Sequence, residues 1–98
     1  MNIVKNLNGS TLEIALEGRL DTTTAPGLDE VLKDIPASVE TLILDCENLE
    51  YVSSAGLRVL LSAHKRMSGK GGMIVKNVTE IVQEVFDITG FADILTIE

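Results

Sequence analysis

The side chains able to do chemistry are few: Ser54, His64, Asp45 and a lone Cys46. Serine, histidine and aspartate are the components of a hydrolytic triad, so acyl transfer is the first chemistry to weigh. The spacing argues against it. If Ser54 opens a helix that runs to about Ser68, His64 lies ten residues along it, about 15 Å away at roughly 1.5 Å per residue and far beyond hydrogen-bond reach. Val52 also stands where a Gly-x-Ser-x-Gly elbow needs its first glycine. The sequence therefore reads as non-enzymatic. His64 is expected half-buried on the inner flank of its helix, with no companion ligands that would make a metal site. Cys46 has no disulfide partner and sits in an apolar stretch, the setting of a buried thiol. Gly69-Lys70-Gly71-Gly72 follows a helix and precedes a strand, so no helix N-terminus completes a phosphate cradle, and the segment reads as a flexible turn.

What remains is Ser53-Ser54-Ala55-Gly56. As the helix N-cap, Ser54 would satisfy an otherwise free amide and contribute about 1 kcal/mol. Gly56 is harder to explain, because glycine in the first turn costs about 1 kcal/mol of helix propensity relative to alanine. Either something approaches that backbone closely, or the missing side chain leaves the neighbouring serine open to a kinase or a docking protein.

The elements around this junction follow from periodicity. Ile3 to Leu7 and Thr11 to Glu17 flank Asn8-Gly9, a hairpin signal, and the second strand is expected to end near Gly18. Thr22, Thr23, Thr24 and Pro26 mark a helix start, with hydroxyls as caps and Ala25, Leu28, Leu32 and Ile35 on one face. Pro36 closes that segment. Val39 to Cys46, with its run Leu42-Ile43-Leu44, reads as a central parallel strand covered on both sides, and Asp45 sits near its end. The next helix buries Leu57, Leu60 and Leu61, with Lys65 and Arg66 in its last turn. Met73 to Val75 forms a short strand. Asn77 and Glu80 resemble a capping box for a helix with the stripe Val78, Ile81, Val82, Val85 and Ile88, ended by Gly90. Ile94 to Ile97 supplies a last strand. The order calls for one α/β domain over residues 1–98, a mainly parallel sheet with an antiparallel N-terminal edge hairpin and three to four helices.

Composition narrows the partners. Fifteen acidic residues against eight basic give a net charge of −7, which argues against nucleic acid and anionic membrane surfaces. Three aromatics offer no stacking platform. No apolar stretch approaches the roughly 18 residues that span a bilayer, and the N-terminus lacks a signal-peptide pattern, so a cytoplasmic protein without cofactors is expected. A protein partner is the default. Glu47 and Glu50 read either as solvated loop charges or, with Asp21 and Asp45, as an acidic rim to the serine junction.

Leu49-Glu50-Tyr51-Val52-Ser53-Ser54-Ala55-Gly56-Leu57-Arg58-Val59-Leu60-Leu61, preceded by Asp45, resembles the signature of STAS domains, in particular the anti-sigma factor antagonists. Gly18-Arg19-Leu20-Asp21 is similar to the family's glycine-x-leucine-aspartate segment, and the likeness extends over the whole chain. The resemblance implies phosphorylation at Ser54, with Asp21 beside it. It also implies a bacterial partner-switching role: the unphosphorylated protein binds an anti-sigma factor serine kinase of the GHKL type, freeing a sigma factor, and a PP2C-type phosphatase reverses the modification. The partner surface would comprise Asp21, Ser53, Ser54, Ala55, Gly56, Arg58 and Ser62, with Lys65 at its margin. The chain departs from the family pattern at Ser53, where aspartate is common, and at Ala55, where serine or threonine is commoner. The alternative is a STAS subunit of a lipid-transport or stressosome-like assembly, docking constitutively or sensing a ligand.

Overall fold

The computed structural model describes residues 1–98. In chain order the elements are β1 (Asn2–Asn8), β2 (Thr11–Leu20), α1 (Ala25–Lys33), β3 (Thr41–Val52), α2 (Ser54–Met67), β4 (Gly72–Lys76), α3 (Glu80–Thr89), a 3₁₀ turn (Phe91–Asp93) and β5 (Thr96–Ile97). They form one five-stranded sheet in the order β1-β2-β3-β4-β5. β1 pairs antiparallel with β2, and the other three pairs are parallel. The expected α/β architecture with an antiparallel N-terminal hairpin is what the chain adopts.

A parallel crossover is right-handed, and here every crossover steps to the next strand in the same direction, so all three helices fall on one face of the sheet. Burial agrees. Leu12, Ile14 and Leu16 of β2 and Leu42, Leu44 and Cys46 of β3 are buried, while the intervening Glu13, Ala15, Ile43 and Asp45 are only half-buried. β3 is therefore covered on one side and not on both, because helices on a single face leave Ile43 on the open one. All the buried apolar side chains join in one contiguous core.

β3 runs six residues past the expected end at Cys46, and β2 runs on to Leu20 instead of ending at Gly18. The cause is a pair of register shifts between these strands, at Ala15/Glu17 and at Gly18/Arg19. At each, β3 carries one residue more than β2, as in a β-bulge, and the inward set of β3 slips from Leu42, Leu44 and Cys46 to Leu49 and then Val52. A strict alternation of period two cannot show a strand that changes phase twice.

Smaller differences have equally local causes. The hairpin loop is Gly9-Ser10, not Asn8-Gly9, since Asn8 still pairs with Thr11 and only Gly9 takes a positive φ, 63°. Thr79, not Asn77, caps α3, accepting from the Val82 amide at 3.4 Å, while Asn77 turns the chain at φ 57° and donates to Asp45. α3 buries Val82 and Phe86, which turns Ile81 and Ile88 out to solvent at 61% and 77% exposure. The aromatic ring at Phe86 rotates the inward face toward Val82, with Val78 and Val85 at its margin. In α2 the buried residues are Gly56, Leu57, Leu60, Ala63 and Met67, and Leu61 is only half-buried. The loop after α2 is tethered rather than flexible: Lys70 donates to the carbonyls of Ala37 (3.0 Å) and Val39 (3.1 Å), and the Gly71 amide donates to Glu40 at 2.7 Å.

Candidate functional site

The site stands where β2 and β3 end side by side. Leu20 pairs with Val52, and the Ser53 amide continues the ladder by donating to the Leu20 carbonyl at 2.8 Å. α2 begins at the next residue. This is the C-terminal edge of a parallel sheet, the edge at which α/β proteins present their ligand sites.

The N-cap of α2 is Ser53, not Ser54. Ser53 has extended backbone angles, and its Oγ accepts from the Gly56 amide at 3.2 Å. Ser54 is thereby the first helical residue, exposed, with its hydroxyl in no side-chain hydrogen bond. The capping role assigned to Ser54 from the sequence passes to its neighbour, because Ser53 is the last extended residue, its amide still bonded to Leu20, and the helix starts directly after it.

Gly56 is explained by the chain itself. A Cβ at that position would lie 2.6 Å from Leu20 Cγ, 3.0 Å from Leu20 Cδ2 and 3.1 Å from the Leu20 carbonyl oxygen. Leu20 is fully buried and cannot move aside. The glycine lets the end of β2 lie against the first turn of α2, so the close approach inferred from its helix cost is intramolecular.

Asp21 follows directly. Its Oδ1 accepts from the Thr23 hydroxyl (2.7 Å), the Thr23 amide (3.0 Å) and the Thr24 amide (3.1 Å). The carboxylate thus ties up the amides of the turn that leads into α1, and no side chain caps the helix itself, so the threonine hydroxyls are not the caps expected of them. Thr24 Oγ1 instead donates to the Arg19 carbonyl at 2.8 Å and accepts from the Asp21 amide at 2.9 Å. These bonds hold the Asp21 carboxyl below its ordinary range, the Thr23 hydroxyl first among the causes, with desolvation opposing it. Arg19 lies over the Tyr51 ring, 4.5 Å from its centroid, and reaches Asp21 at 3.9 Å, an exposed and weak ion pair.

Along α2, Ser54, Arg58 and Ser62 are exposed at i, i+4 and i+8 and share one face, with Lys65 exposed near its end. Arg58 is in no ion pair, and Ser62 accepts from Arg66 at 3.2 Å. Ala55 is half-buried and packs on the core. Beside the strand ends lies an open groove of about 820 Å³, lined by Glu17, Arg19, Glu47, Glu50, Thr79 and Ile81 among others. Three carboxylates there face one guanidinium. Glu47 and Glu50 line this groove, but Asp21 and Asp45, read with them as an acidic rim, do not: Asp21 is held by Thr23 and Thr24, and Asp45 accepts from Asn77 and the Glu47 amide. Glu17, Thr79 and Ile81 were not legible in the sequence, because only the extension of β3 brings them together.

The remaining chemical candidates lie apart. His64 shares α2 with Ser54, ten residues on, and its Nδ1 is buried without a hydrogen-bond partner. Cys46 is buried, and burial, with the neighbouring Asp45 charge, pushes its thiol up to about 12. No cluster of three or more metal-ligating side chains is present. No helix is long and apolar enough to cross a membrane.

A fold with one helical face, and a serine at the mouth of α2 beside the β2–β3 strand ends, define a family. Residues 2–98 match the STAS domain model, and the chain belongs to the STAS domain family. Among curated relatives it is 29% identical to the anti-sigma-B factor antagonist of Bacillus subtilis, over 99% of this chain and 90% of that one. Among solved structures, an anti-sigma factor antagonist from Mycobacterium paratuberculosis superposes with a TM-score of 0.87 at 18% identity, covering 98% of this chain and 83% of that one. The phosphorylated form of the Bacillus cell fate determinant SpoIIAA superposes at 0.75 and 20% identity, covering 99% and 91%.

Proposed function

We propose that this protein is an anti-sigma factor antagonist: unphosphorylated, it binds an anti-sigma factor and so frees a sigma factor, and phosphorylation at Ser54 releases the partner. The observation that carries the reading is the division of labour between adjacent serines. Ser53 caps the helix, which leaves the Ser54 hydroxyl exposed and without a structural task. The naming of the Bacillus subtilis relative supports the class.

Physical chemistry supports the switch. Phosphate adds about −1.5 to −2 charges. At the first position of a helix that charge meets free amides and the favourable end of the dipole, and Arg58 stands one turn along the same face. The module is therefore expected to stay folded when modified, and the phosphorylated SpoIIAA structure retains this fold. The partner bears the cost. Two added charges about 7 Å from a docked carboxylate disfavour binding by about 1 to 5 kcal/mol for dielectrics from 80 down to 20. The groove along the β2 and β3 strands, with three carboxylates to one guanidinium, favours a partner presenting arginine or lysine. The partner class we assign is a GHKL-type serine kinase that is itself the anti-sigma factor, with a PP2C-type phosphatase for the reverse step. The contact surface is Asp21, Ser53, Ser54, Ala55, Gly56, Arg58 and Ser62.

The test is a calorimetric titration with that kinase. Ser54→Asp is expected to keep the parent's circular dichroism and bind about tenfold more weakly or worse, while Ser54→Ala binds normally and gains no phosphate from ATP by mass spectrometry. Equal affinity of Ser54→Asp and parent, or phosphate found at another residue, refutes the assignment.

A further inference from the structure

Where α1 packs on α2, a second cavity of about 290 Å³ opens at the ends of both helices away from Ser54. α2 is 14 residues long, so the two surfaces are about 20 Å apart at roughly 1.5 Å per residue. The floor of the cavity is aliphatic, formed by Leu32, Ile35 and Met67. It stays open because the two other apolar positions on its wall, Ala37 and Ala63, end at Cβ.

The mouth is different in kind. Lys33, Arg66 and Lys70 surround it, three of the eight cations in a chain of net charge −7, and no carboxylate lines it. Lys33 and Arg66 share one counter-ion, Asp29, at 2.9 Å and 3.7 Å. Lys70 spends two of its three ammonium protons on the carbonyls of Ala37 and Val39, which leaves one to direct. Arg66 uses one nitrogen for both Ser62 and Asp29, so other donors of its fork are free. Helix C-termini attract cations to their unpaired carbonyls, and that accounts for basic last turns. It does not account for an aliphatic hollow between them.

We propose that this cavity is a binding site for a medium-chain aliphatic carboxylate, its chain on Leu32, Ile35 and Met67 and its head group on Arg66 and Lys70. The volume sets the size. At about 30 Å³ for each water-sized group, the cavity holds about ten, the heavy-atom count of octanoate. The guanidinium sets the head group, since a carboxylate can take two parallel N–H donors from it.

The full ¹⁵N-labelled chain titrated with sodium octanoate tests this, with octanol and inorganic phosphate in parallel. Saturable amide shifts confined to residues 32–37 and 63–70, with a Kd below about 1 mM, are expected. Octanol and phosphate should each bind at least about tenfold more weakly. Ala37→Phe, at an exposed loop position that needs no core space, should close the mouth and abolish the shifts, and Arg66→Gln should weaken octanoate about tenfold while leaving the Ser54 amide unmoved. Octanol binding as tightly as octanoate, phosphate alone producing the shifts, no saturation by about 10 mM, or full affinity in Arg66→Gln overturns the proposal.

Discussion

Replacing Ser53 and Ser54 by alanine, one at a time, separates a structural hydroxyl from a free one. Ser53 Oγ is the acceptor for the Gly56 amide, at 3.2 Å. Removing an N-cap costs about 0.5–2 kcal/mol. Gly56 is buried beneath Leu20, so its orphaned N–H has poor access to water and the loss falls in the upper half of that range, about 1.5 kcal/mol. For a domain of this length each kcal/mol lowers Tm by about 4–8 °C, so Ser53→Ala should melt about 6–12 °C early. Ser54 is exposed and has no such bond. Ser54→Ala should fall within about 0.5 kcal/mol of the parent, with alanine's better helix propensity offsetting any loss. Paired thermal melts, with urea titrations to convert them to free energy, read both values. If Ser54→Ala cost as much as Ser53→Ala, the hydroxyl at 54 would be structural and unavailable for modification.

Two further outcomes follow from the titrating groups. The Asp21 carboxyl is held below its ordinary value in the folded chain, so its contribution is whole above the unfolded value of about 3.9 and is lost as pH falls through the lower folded one. In thermal melts from neutral to strongly acid pH, the Tm gap between parent and Asp21→Asn should therefore narrow on the acid side, and a gap constant with pH would count against the bonds to Thr23 and Thr24. Cys46, with its thiol at about 12, should resist iodoacetamide at pH 8 until urea unfolds the chain, and native labelling at the rate of a free thiol would refute its burial.

How far the sequence revealed this molecule depends on which element is asked. α2 announced both ends, because Ser53-Ser54 at the start and Lys65, Arg66 and Gly69 at the finish are strong local signals. The hairpin was legible to within one residue, and the sheet order followed from the alternation of strands and helices. The continuation of β3 from Glu47 to Val52 was not, because Glu47, Asn48 and Glu50 look like a loop and the strand changes phase at each bulge. Phe86 was overlooked for a related reason: the stripe Val78, Ile81, Val82, Val85 and Ile88 was read from aliphatic spacing alone, and the core takes Val82 with the Phe86 ring, keeps Val78 and Val85 at its margin and leaves Ile81 and Ile88 outside. At the serine junction the chemistry could be named but not apportioned. Which hydroxyl caps and which is free depends on where the β2–β3 ladder ends, a tertiary fact that no local pattern carries.

The contact between Leu20 and Gly56 has a bearing on how this surface meets another protein. It clamps together two segments more than thirty residues apart in sequence, so the Ser54 backbone is fixed from both the strand side and the helix side before any encounter. A visitor docking there need not order a wandering loop, and the conformational entropy usually forfeited on association has already been lost in folding. Affinity can then respond to the charge on a single oxygen rather than to the shape of the chain that bears it.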